Sequence, residues 1–192
     1  MIAIIKYNAG NIASMQNAIT RLGYESLITD DHKLISTADK VILPGVGEAS
    51  SAMQYLQEKK LHQLIPSLTQ PMLGVCLGLQ LMCKYSEEGN TDCLSIFDSN
   101  VKRFPSTKLV PHMGWNSFST IDGSLFDSID IEDDLYYVHS YYADLCKNTV
   151  ATCDYITKFS AALQRDNFYA TQFHPEKSAA IGEQILKNFL EL

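Results

Sequence analysis

Along this chain the spacing of apolar residues changes period partway. In the first half short strand-like runs alternate with helical stripes: IAIIKY, then Ile12, Met15, Ile19 and Leu22 at helical spacing, then SLIT, then KVILP. Asn11 stands where an N-cap belongs and Gly23 where the helix should stop, while Met53, Leu56, Leu61, Leu64 and Ile65 mark a second helical region interrupted at Pro66. The apolar run Pro71 to Val75 leads through GVCLG into the helix-like stretch LQLMCKY. Strands joined by helices pair in parallel, with the helices on both faces of a twisted sheet. From about Asn90 the pattern shortens to β-like segments, NSFSTI, LYYVHSYY, TVATCDY, FSAALQR and FYATQFH, with Asp166 and Asn167 as a two-residue hairpin between the last two. Ile181, Ile185, Leu186, Phe189 and Leu190 form the stripe of a closing helix. The reading is an α/β fold: a central, mostly parallel sheet with antiparallel strands added in the second half. With no repeat or linker in sight, residues 1–192 are expected to form one domain.

That layout predicts a site. In parallel α/β sheets ligands bind beyond the carboxyl ends of the strands, and YNAGN, PGVG and VCLG all follow a predicted strand and precede a helix. Cys76 stands at the apex of the third turn, between Gly74 and Gly78, where a nucleophile elbow would lift a thiol out of the sheet edge. QFHPEKS supplies a base, His174, and a carboxylate, Glu176, with Pro175 stiffening the turn between them. The three make an acyl-transfer hypothesis. An oxyanion needs two donors: the Leu77 amide is one, and the turn Gly45, Val46, Gly47 is the best source of the other. Gln80 and Glu88 are placed to hold polar ends of a substrate, whereas Glu87 reads as solvated surface.

Composition narrows the class. Of 192 residues 46% are hydrophobic and 19% charged, no apolar stretch is long enough for a bilayer, and the amino terminus lacks the pattern of a secretory signal. A cytosolic chain is expected. The net charge of −7, with no compensating basic cluster, argues against nucleic acid as a partner. Five cysteines without a C-x-x-C pair point to reduced thiols, and Cys83, Cys93, Cys146 and Cys153 read as small hydrophobes. His32 and His62 read as solvent-facing, His112 and His139 as hydrogen-bonded structural residues. No set of three convergent ligands suggests a metal, and no cofactor is called for.

GVCLGLQLM, QFHPEKS and PGVG together resemble the class I glutamine amidotransferases, whose glutaminase domains use Cys, His and Glu in this chain order. YNAGN, SEEG, VPHMGWN and VHSYY narrow the resemblance, over the whole chain, to the glutaminase subunits of imidazole glycerol phosphate synthases in histidine biosynthesis. The resemblance implies a flavodoxin-like three-layer α/β/α fold, L-glutamine as substrate, and a (β/α)8-barrel cyclase as heterodimer partner that receives ammonia. It implies Cys76 as nucleophile, His174 as base and Glu176 as orienting acid. Gln80, Glu88, Ser140, Tyr141 and Gly45 match positions around glutamine, and Val46 and Gly47 the oxyanion loop. Asn8, Asn11, Trp115, Tyr136 and Lys177 match positions facing the cyclase. One departure is visible: such subunits often carry glycines after SEEG, and here none lies between Gly89 and Arg103. Other readings stay open at this point: a glutaminase subunit feeding another synthase, such as one that amidates a surface sugar, a catalytically silent partner-binding subunit, or a stand-alone cysteine hydrolase.

Overall fold

The computed structural model describes residues 1–7 and 10–192. In chain order the elements are β1 (Ile2–Ile5), α1 (Ile12–Arg21), β2 (Ser26–Thr29), α2 (His32–Ser36), β3 (Lys40–Leu43), α3 (Ala49–Glu58), α4 (Leu61–Leu64), β4 (Met72–Val75) and α5 (Leu77–Met82). There follow β5 (Tyr85–Ser86), β6 (Thr91–Asp92), β7 (Asn100–Arg103), β8 (His112–Asn116), β9 (Thr120–Ile121), β10 (Leu135–His139), β11 (Tyr141–Ala143), β12 (Thr149–Asp154), β13 (Lys158–Arg165), β14 (Phe168–Thr171) and α6 (Ala179–Glu191).

Eight strands form the central sheet in the order β2-β1-β3-β4-β14-β13-β12-β9. The pairs from β2 through to β14 are parallel, and those from β14 to β9 antiparallel. The parallel part has the 2-1-3-4-5 order of flavodoxin-like sheets, with β14 taking the fifth place. Alternation along β1 sorts its side chains to two cores. Ile2 and Ile4 pack with Met15 and Ile19 of α1 and Ile185 and Phe189 of α6, while Ala3 and Ile5 pack with Leu56, Leu61 and Leu79 from α3, α4 and α5. These are the three expected layers. Outside them lie a two-stranded sheet, β10-β8, and a four-stranded one, β11-β7-β5-β6.

Several boundaries differ from the expectation. Asn11 precedes α1 in a left-handed conformation, φ 70°, and its side chain caps nothing, because it is spent on Glu176. The second helical region already breaks at Lys60, φ 56°, before Pro66 enters a 3-10 turn. LQLMCKY is helical only to Met82, since the loop 94–97 donates to the carbonyls of Leu81 and Met82 and ends the helix there. The stretch from Asn90 to Arg103 has no glycine, and within it Asn90 and Ser95 take positive φ values, 51° and 55°. NSFSTI and LYYVHSYY each split into two strands, and β14 stops at Thr171 rather than at His174. The hairpin at Asp166–Asn167 forms as expected, with Arg165 paired to Phe168.

Candidate active site

The register of two parallel neighbours builds the site. Thr171 of β14 pairs with Val75 of β4, and the Cys76 N–H donates to the Thr171 carbonyl at 2.7 Å, so the segments leaving both strands run side by side. Cys76 sits at φ 53°, ψ −104°, a region that non-glycine residues avoid at a cost of about 1–3 kcal/mol and that recurs where a side chain is aimed at a ligand. The turn needs its glycines. A Cβ on Gly78 would lie 1.9 Å from the Leu43 carbonyl oxygen, and one on Gly74 would lie 2.9 Å from the backbone of Gly78.

Cys76 is 6% exposed, and what it shows opens into a cleft of about 260 Å³. Val46, Gly47, Leu77, Gln80, Glu88, Ser140 and Tyr141 line the same cleft with Pro111, Val138 and His139. Of the expected substrate and oxyanion residues only Gly45 stands back from the wall, where its carbonyl accepts the Leu77 N–H at 3.3 Å. The Val46 carbonyl accepts from the Gly10 N–H at 3.1 Å, which ties the first Gly-bearing turn to the second. Tyr7, buried beneath that turn, donates its hydroxyl to the Pro44 carbonyl. Burial, and then the charge of Cys76, push its phenol above its ordinary pKa.

His174 lies near enough to the sulfur for charge and hydrogen bonding to couple them. Its Nδ1–H donates to Glu176 Oε1 at 2.8 Å, and the same oxygen accepts from Asn11 Nδ2 at 2.6 Å. Both His174 and Glu176 side chains are almost wholly buried, 1% and 2% exposed. With Nδ1 committed to the carboxylate, the free nitrogen is Nε2, buried and without a hydrogen-bond partner among the described residues. Burial disfavours the charged imidazole, but the charge and hydrogen bonding of Cys76, with those of Glu176, outweigh it and raise the His174 pKa to about 10. An imidazolium is therefore favoured while a negative sulfur faces it. Ser178, fully buried, fixes the turn from the other side: it donates to the His174 carbonyl at 2.7 Å and accepts from the Tyr136 N–H at 2.9 Å.

Glu88 is half-buried and accepts from the Ala49 N–H at 2.8 Å; burial raises its pKa, and the hydrogen bond opposes that. Glu87 is exposed and accepts from the Arg103 N–H, a surface role. The remaining cysteines carry no visible chemistry: burial raises Cys83 well above its ordinary value, Cys93 to about 12 and Cys153 to about 11. His112 and His139 are a hydrogen-bonded pair, 3.0 Å apart, with His139 Nδ1 on the Tyr141 carbonyl.

Beside the cleft, Trp115 packs edge-on against Tyr136 at 5.9 Å, and the Lys177 ammonium lies 5.9 Å from the Tyr136 ring. Trp115 is 54% exposed and Met113 62%, an apolar face next to the His174 turn. Asn11 points instead into the site, and Asn8 falls outside the described residues. Sequence reasoning missed the inward role of Asn11, and it missed Tyr7, Gln172 and Ser178 altogether. The last two stand in QFHPEKS itself, so proximity to the motif was the available signal.

A family model of class-I glutamine amidotransferases matches residues 4–192. The chain belongs to that family. It is 56% identical over its full length to the imidazole glycerol phosphate synthase subunit HisH of Bacteroides fragilis, covering 99% of that protein. It is 48% identical to the protein of the same name from Pasteurella multocida, with 99% of this chain and 97% of that one covered. Among solved structures, a glutamine amidotransferase from Thermotoga maritima superposes with TM-score 0.67 at 17% identity, covering 99% of this chain and 82% of that one. The structure of PurLQS from the same organism gives 0.70 at 13% identity, covering 99% and 97%. These two share the fold.

Proposed function

We propose that residues 1–192 are a single glutaminase domain, the ammonia-producing subunit of an imidazole glycerol phosphate synthase. Full-length relatives at 48% and 56% identity carry that name. The observation that carries the chemistry is the chain of contacts in which Asn11 and Glu176 fix His174 Nδ1 and leave Nε2 for the Cys76 sulfur, at the wall of a cleft sized for one small amino acid.

The Cys76 sulfur attacks the side-chain amide carbon of L-glutamine, and the carbonyl electron pair moves onto oxygen. The tetrahedral intermediate collapses, the C–N bond breaks, and the His174 imidazolium gives its proton to the leaving nitrogen, which departs as ammonia. Water, deprotonated by His174, then attacks the thioester, and glutamate leaves with Cys76 restored. Glu176 keeps the proton on Nδ1 and stabilises the cation. Gln80, Glu88, Ser140 and Tyr141 hold the amino-acid end of the substrate.

Oxyanion stabilisation falls to the Leu77 amide with Val46 or Gly47. In this structure the Leu77 N–H is already donating to the Gly45 carbonyl. One donor is worth roughly 3 kcal/mol, about two orders of magnitude in rate, so turnover calls for a shift of the Pro44–Gly47 turn that releases it. The exposed Trp115 and Lys177, packed on the half-buried Tyr136, give a partner a foothold whose backbone reaches His174 directly, since the His174 N–H donates to the Tyr136 carbonyl at 2.9 Å. The partner is a (β/α)8-barrel cyclase, the pair works in the cytosol, and covering the cleft would keep ammonia from escaping.

The test is reconstitution with such a cyclase and its nucleotide substrate. Glutamine-supported formation of imidazole glycerol phosphate, with glutaminase turnover at least tenfold above that of the isolated chain, is the expected result. A stable complex that uses ammonium salts but not glutamine would overturn the reading.

A further inference from the structure

Beside the sulfur lies a buried amide that the mechanism leaves unused. Gln172 is fully buried, its Nε2 is 3.6 Å from Cys76 Sγ, and its Oε1 accepts from Gln80 Nε2 at 3.2 Å. Which end faces which neighbour follows from the hydrogen bonds. The Tyr141 carbonyl can only accept, and it lies 2.9 Å from Gln80 Nε2, so the NH2 end of Gln80 must stand there. The other proton of that NH2 group requires an acceptor, which makes the facing atom of Gln172 its oxygen. The NH2 group of Gln172 is thereby turned to the sulfur. A buried N–H is costly without an acceptor, and a thiolate accepts far better than a thiol.

We infer that Gln172 is a positioning residue for Cys76: its amide donates to the sulfur, holds it opposite His174 Nε2 and favours its anionic form, in an orientation imposed through Gln80 by the Tyr141 carbonyl. This rests on Cys76 being the nucleophile. The backbone explains why residue 172 occupies this place, since Thr171 pairs with Val75 and the next residue on each strand therefore lies alongside the other. Because Gln80 and Tyr141 also line the cleft, the substrate's surroundings and the sulfur's share one hydrogen-bond chain. Among the described residues the titratable groups around the sulfur are His174 and Tyr7, with Glu88, His139 and Tyr141 lining the same cleft.

The test measures the rate of iodoacetamide alkylation against pH on the full chain, with modification at Cys76 read by peptide mass mapping. Gln172→Leu removes the donor at similar volume, and its midpoint should rise by about one pH unit, with alkylation at neutral pH falling about tenfold. Gln172→Glu, which sets an acceptor against the sulfur, should rise further. Should Gln172→Leu fail to fold, Gln80→Leu decides: the donor remains but its orientation is freed, and a smaller upward shift is expected. A folded Gln172→Leu chain, or in its place Gln80→Leu, with an unmoved midpoint would overturn the inference. Cys76→Ala separates the two claims: glutaminase activity in that variant defeats the nucleophile assignment, whereas its loss beside an unmoved midpoint defeats only the role of Gln172.

Discussion

Glu176 can orient His174 only while something orients Glu176, and in this fold that is Asn11, 165 positions away in sequence and 2.6 Å away in space. A hydrogen bond to a charged group is worth roughly 1.5–3 kcal/mol, and the carboxylate here is buried, so little else can replace it. Asn11→Leu is expected to lower glutamine-dependent kcat about tenfold or more in the reconstituted complex while ammonium-dependent synthesis stays the same. An equal loss of both would place Asn11 at the partner contact instead. Cys76, His174 and Glu176 were legible in the sequence because each stands in a local pattern, a glycine-flanked turn or a proline-stiffened one, whose geometry is set by its neighbours. Asn11 and Gln172 were not. Their roles depend on which distant atom each side chain meets, and nothing in the local sequence carries that. Asn11 even sent the wrong signal, since Asn before a helix ordinarily caps it.

Between elements, the turn bearing His174 and Glu176 is clamped between α6 and β10. A Cβ on Gly182 of α6 would meet the Pro175 carbonyl oxygen at 2.0 Å, so helix and turn touch backbone to backbone there. Gly182→Ala must push the turn aside, and overpacking of this kind costs about 1–3 kcal/mol. Expected are a lower melting temperature in a thermal scan and a kcat loss larger than the stability loss, because the turn moves with His174 and Glu176, the groups proposed to act in catalysis. A normal kcat in the folded variant would show that the clamp does not position the base. The parallel core was legible because β1, β3 and β4 are short apolar runs between helical stripes of clear period. The second half was less so. Two-residue strands such as β5, β6 and β9 are held by sheet partners rather than by their own alternation, and past the end of β14 the Gln172 N–H still reaches the neighbouring strand, at the Ala161 carbonyl, while Phe173 turns into the core.

For the molecule as a whole, two buried imidazoles set a pH limit. Burial lowers the His112 pKa to about 4, and burial, with the charge of His112, lowers that of His139 to about 3. Both have folded values below the unfolded value of about 6.5, so their contribution to stability is present above that pH and is lost as pH falls towards 4 and 3. Urea midpoints should decline steadily from about pH 6.5 downward. In His112→Phe, which keeps the stack on Tyr137 and Tyr155, the decline should be shallower. An identical slope would assign the loss to carboxylates elsewhere. The pair also lies between the exposed face at Met113 and Trp115 and the cleft at Tyr141, so the same residues join the surface proposed for the partner to the floor of the site. The proposed chemistry depends on a sulfur that carries the acyl group, and one comparison tests that role: synthesis by the cyclase complex of Cys76→Ala, supplied first with glutamine and then with ammonium chloride. Glutamine-dependent synthesis should fall to background with ammonium-dependent synthesis intact; glutamine hydrolysis persisting in that variant would contradict it.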